Sequence, residues 1–189
     1  VVGNEVGAKQ LLSFLDEFGL DDIEAVSAAI VSSSEAAMRE RIAALPDGEY
    51  PFTMTTDGFD EPITLAANVI IKGDQLTVDY EGTSPAIDRG INVALNYTAA
   101  YTTYGIKCAI SPDIPNNAGS FRPVTVTAPK GCIVNCEHPS PVGGRHLVGH
   151  FLPSVVIGAL SKILPQNVMA ATAFPPLPSP PALPASSRR

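Results

Sequence analysis

The chain has 189 residues, of which 45% are hydrophobic and 16% charged, and its net charge is −7. That supplies enough apolar side chain for a packed core. The acidic balance excludes a general affinity for nucleic acid or anionic membrane, because no basic surplus exists to displace phosphate counterions.

Read in chain order, Leu11, Leu12, Leu15 and Phe18 recur at helical spacing, and Gly19 is placed to end that helix. Asp21 and Glu24 then have the spacing of a capping box. The stripe Ile23, Val26, Ile30, Ala37, Met38, Ile42, Leu45 follows and stops at Pro46-Asp47-Gly48. The expectation is an antiparallel helix pair packed on its own sheet. The period next falls to two: Tyr50, Phe52, Met54; then Ile63, Leu65, Ala67, Val69, Ile71; then Leu76, Val78, Tyr80 beyond the turn Lys72-Gly73-Asp74. These predict half-buried antiparallel strands, the last two joined as a hairpin.

Helical spacing returns over residues 92–110. Val93, Tyr97, Ala100, Tyr101, Tyr104 and Cys108 share one face and Leu95, Ala99 and Ile106 another, which predicts a well-buried helix with its tyrosines in the core. A Pro- and Asn-rich loop covers 111–119, and a strand covers 124–127. A last helix is predicted over 147–164, with Pro153 in its first turn or kinking it and Pro165 ending it. The fold class is α+β: a helical pair, an antiparallel sheet and two further helices packed on it. From Phe174 onward prolines crowd together, and the tail is expected to be extended.

No apolar run approaches the roughly 20 residues that span a bilayer. The segment Val1-Val2-Gly3-Asn4-Glu5 lacks a starting methionine and the basic-then-apolar profile of a signal peptide, so the expectation is a fragment whose start lies upstream. Cys108, Cys132 and Cys136 make no disulfide framework and suit a reducing compartment. Cys132 and Cys136 form a C-x3-C without a second pair, and buried thiols are the better reading.

Chemistry concentrates in two loops. Gly143-Gly144-Arg145-His146-Leu147-Val148-Gly149-His150 combines glycines leading into a helix, an arginine able to clamp an anion, and two histidines four apart. It is neither a Walker motif nor H-E-x-x-H. The loop running to Asn116, Asn117, Gly119 and Arg122 is stiffened by Pro112 and Pro115. Asp79, Glu81 and Asp88 surround Gly82-Thr83-Ser84 and read equally as general bases or metal ligands and as a solvated turn. No G-x-S-x-G appears, and catalytic residues cannot be assigned.

Several of these segments together resemble the hydantoinase B family. They are Val78-Asp79-Tyr80-Glu81-Gly82-Thr83-Ser84-Pro85, Arg89-Gly90-Ile91-Asn92, the run from Pro112 to Pro123, Ala128-Pro129-Lys130-Gly131-Cys132-Ile133-Val134-Asn135, and Pro141-Val142-Gly143-Gly144-Arg145. Ala43 to Tyr50 resembles the family's helix-to-strand junction. The resemblance implies a piece of the B-type subunit of a cytoplasmic, ATP-dependent enzyme that opens cyclic amides such as hydantoins and 5-oxoproline. It also implies a hydantoinase A-type partner that binds the ATP. An acetone- or acetophenone-carboxylase subunit is the alternative within the family, and a non-catalytic truncated scaffold the alternative outside it.

By the same resemblance the metal-binding carboxylates and histidines lie upstream of this chain. No complete metal site is expected here, and the chain alone is expected to be inactive. The substrate-facing residues are expected to be Asn116, Arg122, Gly143, Gly144, Arg145 and His146. Residues 1–171 are expected to form a partial hydantoinase B-like domain and 172–189 a foreign, proline-rich tail, the product of a frameshift or truncated frame.

Overall fold

A computed structural model describes residues 2–167. The expected boundary at 171 and the tail of 172–189 lie outside the described residues. The elements are α1 (Val2–Phe18), α2 (Glu24–Ala43), β1 (Gly48–Thr56), β2 (Ile63–Lys72), β3 (Gln75–Asp79), α3 (Leu95–Ile110), α4 (Ala118–Phe121), β4 (Val124–Thr127), α5 (His146–Gly149) and α6 (Leu152–Leu160). The α+β class read from the sequence holds.

The four strands lie in the order β1-β2-β3-β4. β1 and β2 pair antiparallel from Gly48↔Ile71 to Thr56↔Ile63, and β2 and β3 form the expected hairpin, closed at Lys72↔Gln75. Gly73 takes φ +60 in that turn, a conformation few other residues adopt cheaply. β4 departs from the all-antiparallel expectation: it runs parallel to β3, from Leu76↔Val124 to Asp79↔Thr127. Alternation fixes which face a side chain takes but not strand direction, and here α3 carries the chain back across the sheet between the two strands.

One face of the sheet is the core. Ile63, Leu65, Ala67, Val69 and Ile71 alternate as buried residues along β2, with Leu76 and Val78 beside them. α6 lies over β1 and β2, α3 packs along α6, and α2 adds Met38 and Ile42 to the same core. Small residues set the spacing. A methyl group on Gly105 of α3 would stand 2.9 Å from Pro153 of α6, and one on Gly158 would stand 2.6 Å from the Phe52 ring.

Four expectations about the helices need correction. α1 forms, but none of its residues is buried, and Leu12 and Phe18 are more than 60% exposed. It therefore does not complete a helix pair on the sheet; nothing among the described residues offers its apolar side a surface. The capping box at Asp21 does not form either. Asp22 Oδ1 instead accepts from the Glu24 N–H at 2.8 Å. Third, α3 turns its tyrosines outward. Thr98, Thr102, Gly105, Ile106 and Ala109 are buried, whereas Tyr97 and Tyr101 are half-buried and Tyr104 is exposed. The face that meets α6 must be narrow for the helices to approach, so small residues outcompete large ones there. Buried threonine hydroxyls are paired: Thr98 donates to the Val134 carbonyl at 2.6 Å, and Thr102 shares a 2.6 Å bond with the Tyr80 hydroxyl. The last predicted helix is broken into α5 and α6, with Pro153 in the first turn of α6, where its missing N–H costs nothing.

The sheet has two unlike edges. Along β1, Pro51 has no N–H, and its carbonyl accepts from Lys162. Along β4, Leu76 donates to the Pro123 carbonyl and Tyr80 to that of Thr127. The intervening Val124 and Val126 therefore present their backbone groups to the opposite side. There a groove of about 830 Å³ lies between β4 and α3, lined by residues including Leu95, Ala99, Phe121 and Val126.

Candidate functional site

Beyond β3 the chain turns through Gly82, at φ +86, and resumes its pairing with β2. Thr83 Oγ1 bonds both backbone groups of Ala66, and the Ser84 N–H and hydroxyl bond Thr64. The following loop, 85–92, is organised by Asn92, which is fully buried. Its Nδ2 donates to the carbonyls of Ile87, Arg89 and Pro141 at 2.7, 2.9 and 3.0 Å, and its Oδ1 accepts from the Ile87 N–H at 2.9 Å. One carboxamide thus closes the loop and ties it to the segment leading into Gly143.

The glycine-rich segment lands on the same place. The Gly144 N–H donates to the Gly90 carbonyl at 2.5 Å, and a methyl group on Gly144 would stand 3.3 Å from that carbonyl. Arg145 lies 5.6 Å from the centre of the Tyr97 ring, which stacks on Tyr101 at 4.4 Å. Desolvation, reinforced by Tyr101, pushes the Tyr97 hydroxyl up to about 12, with Arg145 pulling the other way. His146 and His150 stand one helical turn apart, and His150 Nδ1 lies 2.8 Å from the backbone carbonyl of His146. Among the described residues no group of three His, Cys, Asp or Glu side chains converges as a metal would require. Burial pushes the Cys132 and Cys136 thiols up.

Two clefts open beside this junction. One, of about 510 Å³, lies between the β1–β2 connection (Phe59, Asp60, Ile63) and the 84–89 loop (Ser84, Ile87, Arg89). The other, about 440 Å³, continues past Phe59 and Ile63 to Ile91, Leu147, Val148 and Phe151. Phe59 is 62% exposed and stands between them. Arg89 lies 5.5 Å from its ring centre and 4.0 Å from Asp60. Of the carboxylates singled out in the sequence, Asp88 lines the first cleft; Asp79 accepts from Thr127 instead.

The other predicted loop is elsewhere. Asn117 caps α4, accepting from the Gly119 and Ser120 N–H groups, and its Nδ2 donates to Ser34 Oγ of α2 at 2.7 Å. Arg122 donates to Glu35 of α2 at 2.8 Å, and together with Arg39 it holds the Glu35 carboxyl below its usual range. Lys107, buried in the last turn of α3, donates to the Ile114 carbonyl, and burial lowers its affinity for its proton. Asn116 is exposed beside this anchorage. Arg145 meets Tyr97 in the first turn of α3, and the Asn116 loop meets the last turn through Lys107 and Ile114. With 16 residues in α3, that places them roughly 24 Å apart at 1.5 Å per residue. The structure gathers Gly143, Gly144, Arg145 and His146 and separates Asn116 and Arg122 from them. Sequence reasoning missed Phe59, Arg89 and Asn92 as parts of this junction. Asn92 sits among helix-spaced residues two positions before the extended Ala94 cap, and its signal was the family-like run Arg89-Gly90-Ile91-Asn92, which marked no role for it.

Comparison with known proteins gives a consistent result. The family model described as hydantoinase B/oxoprolinase matches residues 1–175. The B-type subunit of a putative D-/L-hydantoinase from Pseudomonas sp. (strain NS671) is 34% identical over 184 residues, which is 90% of this chain and 31% of that protein. The crystal structure of an ATP-dependent caprolactamase from Pseudomonas jessenii superposes with a TM-score of 0.77 at 24% identity, covering 86% of this chain and 29% of that one. Acetone carboxylase in its nucleotide-free form gives 0.62 at 17%, over 69% and 20%. Both structural likenesses are likenesses of fold. The chain spans under a third of the length of these relatives. No helix among the described residues is long and apolar enough to cross a membrane.

Proposed function

The chain belongs to the hydantoinase B/oxoprolinase family, and on that premise we propose that it forms part of the B-type subunit of an ATP-dependent cyclic-amide hydrolase. The observation that carries the reading is the 34% identity to the B-type polypeptide of a hydantoinase, maintained over nine-tenths of this chain. The likeness to acetone carboxylase is one of fold alone, whereas the sequence relative is a hydantoinase polypeptide, so ring opening is preferred to carboxylation.

A lactam carbonyl resists water because amide resonance quenches its electrophilicity. Transfer of a phosphoryl group from ATP to the carbonyl oxygen removes that resonance and opens the carbon to attack. In this proposal ATP sits on a hydantoinase A-type partner, and the assembly works in the cytoplasm. A divalent metal belongs to B-type polypeptide beyond this chain. The described residues do not fit one, since no group of three His, Cys, Asp or Glu side chains converges among them. What this chain contributes is binding and orientation at the junction of Gly143, Gly144, Arg145 and His146 with the 85–92 loop.

The test is to co-purify the chain with an A-type subunit and to follow ATP-dependent opening of hydantoin and 5-oxoproline in the complete assembly. Association with the ATP-binding subunit is expected, together with loss of most turnover on Arg145→Ala at unchanged melting temperature. Failure to associate favours a non-catalytic scaffold, and ring opening by the chain alone refutes the reading.

A further inference from the structure

We propose that the cleft between Phe59 and Arg89 holds the ring of the cyclic amide, and that the adjoining cleft past Phe59 holds the ring's apolar substituent. The inference rests on the hydrolase reading above and adds to it a place, a set of residues and a specificity.

The first cleft has a mixed chemistry. Arg89 supplies only donors, Asp60 and Asp88 supply only acceptors, and Ile63, Pro85 and Ile87 supply apolar wall. A simple anion would be drawn to Arg89 and repelled by the carboxylates around it. A neutral ring that carries both C=O acceptors and N–H donors satisfies both kinds of group at once. At about 510 Å³ the cleft falls in the range of small-ligand sites.

Arg89 is equipped for the task. Its side chain is 56% exposed, its contact with Asp60 is a long 4.0 Å, and that carboxylate is 84% exposed, so the pair is easily exchanged for a ligand. Its guanidinium lies by the Phe59 ring, an arrangement that leaves the donor edge available. The backbone beneath it is fixed, because the Arg89 carbonyl accepts from buried Asn92 and the Gly90 carbonyl from Gly144. That fixed backbone removes one part of the ordering cost of binding.

The second cleft differs in kind. Ile91, Leu147, Val148 and Phe151 dominate it, and it shares Phe59 and Ile63 with the first. A ring seated against Arg89 therefore directs a substituent past Phe59 into apolar surroundings. Phe59 is the divider, and Leu147 is the specificity-determining wall.

Direct binding tests this without catalysis. Amide shifts of the 189-residue chain are followed by NMR during titration with hydantoin and with 5-benzylhydantoin. Saturable shifts are expected at Ser84–Arg89 and at Phe59, with additional shifts at Leu147–Phe151 for the benzyl compound alone. Arg89→Gln is expected to weaken hydantoin binding at least tenfold, with Arg89→Lys intermediate. Leu147→Ala should lower the preference for 5-benzylhydantoin over hydantoin about fivefold. Shifts centred elsewhere, no saturable shifts, or an Arg89→Gln affinity within twofold of wild type at unchanged melting temperature overturns the assignment. In the complete assembly, turnover with an unaltered KM in Arg89→Gln overturns this assignment alone. Absence of any cyclic-amide turnover overturns the hydrolase reading, and the titration then still decides whether the cleft binds such rings.

Discussion

Replacing Asn92 with leucine removes four hydrogen bonds from a site with no solvent exposure while keeping the number and branching of side-chain heavy atoms. The Arg89 carbonyl keeps a partner, because it also accepts from the Ile91 N–H at 2.8 Å. The Ile87 N–H, the Ile87 carbonyl and the Pro141 carbonyl lose theirs. A buried polar group left unpaired costs about 1–3 kcal/mol, so three of them would cost about 3–9 kcal/mol, a large part of the roughly 5–15 kcal/mol that holds a typical domain together. The 85–92 loop lies near the surface, so relaxation and entering water recover part of it, and the expected loss is about 2–5 kcal/mol. Urea unfolding followed by circular dichroism reads this as a lower midpoint at constant slope. A loss under about 0.5 kcal/mol, against the roughly 1 kcal/mol expected of even one such bond, would refute the claim that this carboxamide organises the junction. Asn92→Asp sharpens the test, since an introduced carboxylate would face three carbonyl oxygens. Its folded-state pKa would be raised, so the protonated form is favoured on folding. The variant should therefore gain stability relative to wild type as pH falls and lose it as pH rises.

Gly119→Ala places a methyl group 1.9 Å from the Val31 carbonyl; separation of α4 from α2 should lower the melting temperature by several degrees, on the order of 1–3 kcal/mol for such overpacking, measured by calorimetry. Glu35→Gln removes the anion shared by Arg39 and Arg122. Because Glu35 titrates below its usual range in the folded chain, its contribution is present above the unfolded pKa and lost as pH falls through the folded one. The stability difference between wild type and variant should therefore begin to shrink on acidification below about pH 4, near the ordinary glutamate value, and vanish only below the lowered folded-state pKa; a difference that stays constant through this range would refute the account. Cys108 is exposed, whereas burial raises the thiol pKa of Cys132 and Cys136. At about pH 8 a chromogenic disulfide reagent should therefore consume one thiol rapidly and the other two only after urea is added.

The strands were the most legible part of this chain, because alternation along Ile63–Ile71 is enforced by one buried face. Strand direction was not legible: Val124–Thr127 reads the same parallel or antiparallel. The helical stripe of Tyr97, Tyr101 and Tyr104 misled because size is a poor guide to burial where two helices touch through Gly105 and Pro153. The exposed α1 shows the complementary error, since periodicity announces an apolar face without supplying its partner. At the candidate site, the glycines at 143 and 144 were visible as a turn, but their partner Gly90 was not. Asn116 and Arg122 share sequence character with that turn and lie at the far end of α3. Composition reveals which loops can hold a ligand; only the route of the intervening helix reveals which loops meet.

The unlike borders of the sheet bear on how this molecule behaves when concentrated. On the β1 side a proline and a lysine cap discourage further lamination. On the β4 side Val124 and Val126 offer an unblocked template above a greasy trough. Self-adhesion should thus join one β4 flank to another and stop at a closed pair. Val126→Lys is the single change with which to keep a preparation monodisperse, leaving the opposite flank and the Phe59–Arg89 cleft untouched.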